Sequence, residues 1–273
     1  MGVVVPARNE ASRVGACLAS IERALRGLPA GIDTAVWVVA DRCTDGTAGI
    51  VDRILAGRPG RGWEPSGEAL PVGSLRARGV RVVLRLLSDH DPAQVWLLNT
   101  DADTVVPADW ALAHLRHADR GAAAVVGLAD LAGDCRLHPE VAERYAELIR
   151  GQRYGPGAGA GGGGGAGGGG RSGGGGAGPG APGGQHGHVY GANLGVRADR
   201  YLRVGGFAPR RCGEDVDLVD RLRRDGAAVV SPLDVRVSTS ARTEGRAAGG
   251  LADLLGSLQR AATASPGAGV SAA

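Results

Sequence analysis

A chain of 273 residues, 43% of them hydrophobic, is long enough to bury one large core; its 31 basic and 28 acidic residues leave a net charge of +3. Every basic residue is arginine, so a Walker phosphate loop, a Schiff-base enzyme and a lysine-dependent nucleotidyltransferase are all excluded, while planar, bidentate grip on phosphate is well supplied. The charge is dispersed, with no polybasic block for nucleic acid, and Cys17, Cys43, Cys135 and Cys212 form no C-x-x-C pair, which fits reduced thiols in a cytoplasm better than a disulfide frame or a zinc site.

Strand and helix patterns alternate through the first 150 residues, which predicts an α/β fold: a mostly parallel central sheet with helices packed on its faces. GVVVP, at residues 2–6, reads as a buried first strand that leaves no room for a signal peptide. Ala16, Ile21, Leu25 and Leu28 then fall on a helix after ARNEASR. TAVWVVA (34–40) is the second strand, and TDGTAGIVDRIL (44–55) carries a helix with Asp45 near its start, where a carboxylate complements the helix dipole. Leu75, Val82, Val83, Leu86 and Leu87 recur at helical spacing and lead to the strand QVWLLN (94–99). A helix beginning near Pro107, a strand in AAAVVGLADL (122–131) and a helix in PEVAERYAELIR (139–150) follow.

From Gly155 to Gly184 the composition changes: 20 of these 30 residues are glycine and none is larger and apolar beyond alanine or proline. Such a segment cannot bury enough surface to offset its ordering entropy and reads as a flexible surface insertion. Order is expected again at HGHVYGANLGVRADRYLRVGGF (186–207), then in an acidic helix start CGEDVDLVDRLRRDG (212–226), a strand pair around AAVVSPLDVRVSTS (227–240) and a last helix near GGLADLLGSLQRAA (249–262). The last residues, 263–273, read as a frayed tail. The longest apolar runs are strand-sized, too short for a bilayer span, which leaves peripheral attachment at the inner face of the cell membrane open to a cytoplasmic protein.

The stretch VWLLNTDADTVVP (95–107) drives four apolar residues into two carboxylates one residue apart. In an open α/β sheet, ligands bind beyond the carboxyl ends of the strands. If the strand stays extended, Asp101 and Asp103 point the same way, and such hard oxygen donors suit Mg2+ or Mn2+ arriving with phosphates. A second carboxylate site is legible in Glu214 and Asp215, in the first turn of a helix expected to bury Val216, Val219 and Leu222. The dipole there favours an ionised carboxylate, able to accept a proton from an attacking hydroxyl. Capping of the strand and helix ends would account for both pairs without a ligand.

VVVPARNE (3–10), VVADRCTDGT (38–47), NTDADTVVPADW (99–110) and CGEDVDLVDRL (212–222), in this order and spacing, resemble the family-two glycosyltransferases of GT-A fold; HGHVYGANLGVRADRYLRVGGF and TSARTEGRAAGG (239–250) are similar to a bacterial subgroup of it. The resemblance covers nearly all of the chain outside the glycine insertion and the tail. It implies a single GT-A domain over 1–262, with a nucleotide-sugar-binding half (1–131) and an acceptor-binding half (132–262). It further implies inverting, metal-dependent transfer of a hexose from a nucleoside-diphosphate donor to a hydroxyl or carboxyl acceptor such as a lipid, carotenoid acid, glycan or small metabolite. No Q-x-x-R-W motif of processive relatives is present, so one sugar per encounter is expected.

On the matching positions, the resemblance puts Pro6, Ala7, Arg8 and Glu10 at a turn passing the nucleoside, Asp41 on the base, and Arg76 near the base or diphosphate. Asp101 approaches the ribose or metal, and Asp103 is the direct ligand of Mn2+ or Mg2+. Ala40 and Cys43 depart from the family's D-D-x-S-T pattern, which loosens the expectation about the base. Asp215 matches the general base and Glu214 an orienting partner; Tyr190, Gly191, Ala192 and Asn193 line the acceptor side, while Arg242 and Arg246 close over the diphosphate. His186 and His188 offer a late histidine ligand or a polar wall for the acceptor. Two rivals remain on the residues alone: DADTV also fits a haloacid-dehalogenase-like phosphatase, against which stand the missing lysine and the two strand–helix units ahead of the motif, and the Ala40 substitution also suits a degenerate sugar-nucleotide-binding protein.

Overall fold

The structure, a computed structural model, describes residues 1–132, 139–151, 153–154, 185–243 and 251–264. The first strand, β1 (Gly2–Ala7), is buried along almost its whole length, and its alternation divides two cores. Val3, Val5 and Ala7 pack against α1 (Val14–Arg26), while Val4 faces the other way. β2 (Ala35–Asp41), α2 (Thr47–Leu55) and β3 (Arg61–Ser66) complete the first units, each strand parallel to the last. The Asp45 carboxylate accepts the Thr47 amide at 2.9 Å, so the expected acidic start of α2 is present.

α3 (Val72–Leu86) leads to β4 (Trp96–Asn99), parallel to β1 on its other side. Next come β5 (Thr104–Val105), α4 (Trp110–Asp119), β6 (Ala124–Val126), β7 (Leu128–Leu131), α5 (Pro139–Gly151) and β8 (Arg153–Tyr154). The chain closes with β9 (Gln185–His186), β10 (Leu194–Arg197), α6 (Ala198–Arg203), α7 (Glu214–Arg224), β11 (Val229–Val230), β12 (Arg236–Thr239) and α8 (Leu251–Ala264). The main sheet has the order β11-β6-β10-β4-β1-β2-β3, mostly parallel, with β10 running antiparallel between β4 and β6. Residues of α1, α2 and α4 fill the core on one face and residues of α3, α6 and α7 that on the other, so the chain is the expected three-layer α/β fold. Among the described residues no helix is long and apolar enough to cross a membrane.

Several local expectations are corrected. The stretch 122–131 is two strands in two sheets: β6 lies in the main sheet and β7 in a small sheet of order β5-β12-β7. The break is at Gly127, where a Cβ would stand 2.1 Å from the Asn193 side-chain nitrogen and 2.6 Å from the Val235 carbonyl oxygen. The two strands in 227–240 do not pair with each other; β11 joins β6 and β12 joins β5 and β7. α4 starts at Trp110 and not near Pro107, Leu28 lies past the end of α1, and β3 is a strand that apolar patterning did not reveal. The last helix runs to Ala264, into the segment expected to fray. The glycine insertion 155–184, Cys135, Arg246 and residues 265–273 lie outside the described residues.

Candidate active site

A cavity of about 830 Å³ opens beyond the carboxyl ends of β1, β2 and β4. Parallel strands set side by side deliver their following turns to one place, which is why residues far apart in sequence meet there. Pro6 and Ala7 line it from the end of β1, Arg8 and Glu10 from the turn that follows, and Asp41 from the end of β2. Asn9 takes a left-handed φ of 54°, and its side-chain oxygen accepts the Thr44 amide at 2.8 Å, tying the first two turns together. Asp41 is buried and is approached by Arg42 Nε at 3.3 Å and Arg8 Nη1 at 3.7 Å.

β4 stops at Asn99, so Asp101 and Asp103 sit in a turn closed by the Thr104 amide on the Asp101 carbonyl, not on an extended strand. Both still line the cavity, each with its own arginine. Arg76, buried on α3, donates through Nη2 to Asp101 at 2.6 Å and through Nε to Glu214 at 3.0 Å. Burial alone would lower the Arg76 guanidinium, but Asp101, Glu214 and Asp215 outweigh it and hold the charge. Arg242, beyond β12, reaches Glu10 at 2.6 Å and Asp103 at 3.2 Å. These two guanidiniums, expected on the donor, line the cavity and each bridges two of its carboxylates, because four buried or half-buried acids cannot share one cavity without cations between them. Asp103 is pushed up to about 6 by its burial and then by the Asp101 charge, with Arg242 opposing. Glu214 is likewise raised, by burial first, with Arg76 opposing.

Asp215 is oriented by backbone: Oδ2 accepts the Gly191 amide at 2.6 Å and Oδ1 the Val216 amide at 2.8 Å. Gly213, just ahead of α7, has a φ of 71°, a left-handed turn that aims this acidic start into the cavity. A side chain at Gly191 would meet Arg76 Nη2 at 2.6 Å, so the loop before β10 closes directly on the guanidinium. Val216, expected on the buried side of α7, is 44% exposed at the cavity rim; Leu218, Val219 and Leu222 make the buried face.

Of the four residues expected on the acceptor side, Tyr190, Gly191 and Ala192 line the cavity and Asn193 does not. Fully buried, its side chain accepts from Trp110 Nε1 at 2.9 Å, meets His114 Nε2 at 3.1 Å and donates to the Leu128 and Val235 carbonyls at 2.8 and 3.1 Å. It staples the loop to the core. His188 lines the cavity, stacked on Tyr190 with ring centroids 5.7 Å apart, whereas His186 is buried and its imidazole is pushed down to about 4, chiefly by burial. Among the described residues no three His, Cys, Asp or Glu side chains gather to hold a metal. Tyr145, on α5, is a wall residue that sequence reading missed: its hydroxyl lies 3.1 Å from both the Ala129 carbonyl and the Tyr190 hydroxyl, a long-range pairing with no local signal.

Solved structures similar to this chain share its fold. A mannosyltransferase of Pyrobaculum calidifontis, PcManGT, in complex with GDP-Man and Mn2+, superposes with a TM-score of 0.57 at 20% identity, over 89% of this chain and 57% of that one. TarS 1-349 of S. aureus gives 0.55 at 12% identity over 89% and 60%, and its complex with UDP-GlcNAc 0.55 at 13% over 90% and 59%. The chain thus spans less than two thirds of the length of these neighbours. No curated protein sequence matches it. The sequence profile of glycosyl transferase family 2 matches residues 2–171, more than half of the chain. With the three-layer sheet and the acidic cavity at its strand ends, this places the chain in its family: it belongs to glycosyl transferase family 2.

Proposed function

We propose that the protein is a glycosyltransferase that moves a hexose from a nucleoside-diphosphate donor to a hydroxyl or carboxyl acceptor, inverting the anomeric centre, in one domain whose first half (1–131) holds the donor and whose second half (132–262) holds the acceptor. One observation carries this reading: Asp41, the Asp101–Asp103 pair and Glu214–Asp215, from distant parts of the chain, open into a single cavity. The nucleoside would lie along Pro6, Ala7, Arg8 and Asp41. A divalent cation fits Asp101 and Asp103: the donor set is hard oxygen, and two carboxylates, with no third ligand gathered beside them among the described residues, suit an ion that completes its shell with substrate phosphates and water. The GDP-Man and Mn2+ complex of the Pyrobaculum calidifontis neighbour supports such a pairing. When bound, the cation neutralises charge on the departing diphosphate.

Asp215 performs the proton step. Its two backbone hydrogen bonds fix the carboxylate, leaving lone pairs for the acceptor hydroxyl. As that O–H bond breaks, its proton passes to Asp215, the oxygen pair forms a bond to the anomeric carbon, and the bond from that carbon to the diphosphate oxygen breaks with its electrons on the leaving group. Such a base typically contributes about 10²–10⁴ in rate. Glu214, anchored on Arg76, holds the start of α7 against Asp101, so the base is positioned relative to the donor site. Calorimetry of a sugar-nucleotide panel with and without Mn2+ tests the reading. Binding should require the cation and be lost in Asp103→Ala; equal binding by that variant refutes the metal assignment, and absence of binding across the panel refutes the enzyme.

A further inference from the structure

Beside the base, the cavity rim turns apolar. Val216 at 44% and Leu254 at 42% are among the most exposed large apolar side chains of the described residues, and both line this cavity. Val216 follows Asp215 directly and gives its amide to that carboxylate, so its side chain is fixed relative to the proposed base. Leu254 and Leu251 come from the first turn of α8; Leu251 rests on the small core of Leu128, Val141, Tyr145 and Leu255, which holds the helix in place. The first turns of α7 and α8 face the same cavity, α7 through Glu214, Asp215 and Val216 and α8 through Leu251 and Leu254. The charges that follow Val216 on α7 are used elsewhere, Asp217 pairing with Arg221 at 2.6 Å and Arg210 at 2.9 Å. Apolar side chains held open to water next to a reactive carboxylate gain free energy when apolar substrate covers them.

Resting on the transferase reading, we infer that the acceptor is an amphipathic alcohol whose hydroxyl meets Asp215 and whose apolar body lies across Val216, Leu251 and Leu254. An alcohol, and not a carboxylic acid, is the acceptor that uses the base, because a carboxylate acceptor has already lost its proton. Sugars and polyols without an apolar body would leave this rim wet.

The test uses the whole chain with Mn2+ and whichever sugar nucleotide binds by calorimetry. Alcohol-stimulated release of nucleoside diphosphate is measured with ethanol, n-butanol, n-hexanol and n-octanol, with glycerol as the polar control. The expected kcat/KM rises roughly threefold to fourfold per buried methylene, while glycerol is inert. Val216→Asn and Leu254→Asn replace exposed side chains and should fold, which melting by circular dichroism checks. Each should flatten the series while donor affinity stays the same. A flat series in the unaltered protein, or one equally steep in both variants, overturns the acceptor assignment and leaves the transferase standing. Loss of sedimentation with phosphatidylglycerol vesicles in the variants, with the alcohol series intact, overturns it in favour of a membrane contact. If no sugar nucleotide binds at all, the transferase reading fails and the acceptor assignment with it.

Discussion

Arg242 stands 3.2 Å from Asp103, so the carboxylate proposed to take the metal already has a counter-ion. A divalent cation and this guanidinium compete for the same oxygens. Arg242→Gln should therefore bind Mn2+ alone more tightly, by about fivefold, the equivalent of ~1 kcal/mol for an ion pair whose arginine is still partly exposed. It should bind the sugar nucleotide more weakly, because a cation near the diphosphate is gone. Calorimetric titration of each ligand separately reads both effects, and parallel loss of the two affinities would deny the competition.

Asp215→Asn keeps the shape of the side chain and removes its basicity. Turnover should fall by about 10²–10⁴ with the donor dissociation constant nearly unchanged. Single-turnover transfer beside equilibrium donor binding checks this; unaltered turnover would take Asp215 out of the mechanism.

Arg76 is buried between Asp101 and Glu214, and Glu214 itself is only 5% exposed. Removing one partner of a buried ion pair leaves an uncompensated charge, at about 3–5 kcal/mol. Arg76→Ala should therefore unfold at markedly lower urea. Arg76→Lys keeps the charge but cannot span both acids with a planar fork, and should recover only part of the loss.

Asn193 answers two donors and two carbonyls inside the core. Asn193→Leu strands all of them, each costing about 1–3 kcal/mol when left buried without a partner. Chemical denaturation should register a loss of at least about 3 kcal/mol, larger than for any substitution of Tyr190 at the cavity wall.

His114 lies in that same network, its imidazole pushed down to about 4, chiefly by burial. Unfolded, it takes its proton near 6.5, so between these values the unfolded chain binds a proton the folded one refuses. The His114 contribution to stability should be full above pH 6.5 and be lost as pH drops to 4, by on the order of 3 kcal/mol, with His186 acting in the same direction and the raised carboxyls of Asp103 and Glu214 in the opposite one. Urea midpoints across that range measure the slope, which His114→Gln should reduce.

The strand–helix alternation and the acidic motifs were legible because each depends on local spacing: β1, β2 and β4 announce themselves as apolar runs, and Asp101–Asp103 follows one of them. β3 was not, since RGWEPS is an edge strand with a glycine and a proline where a buried run would stand. The boundary between β6 and β7 was lost because its cause, the Asn193 side chain pressing on Gly127, comes from far along the chain. The same limit hid the partners of Arg76 and Arg242. Sequence named them as cations near the donor, but only the packing of α3 against α7 and of the loop after β12 against the turn after β1 pairs each with two acids. Val216 was misjudged because helical periodicity cannot tell a core-facing valine from one at a cavity mouth.

The placement of β10 bears on how this chain acquires its shape. Leu194–Arg197 slots between β4 and β6, so two sheet edges wait, unsatisfied, until residues made much later arrive, after the glycine-rich stretch has left the ribosome. Closing so distant a pairing is slow, and exposed edges invite association with other chains. A fragment ending at residue 131 would keep both edges bare, which makes it a poor candidate for independent expression despite carrying most of the family's motifs.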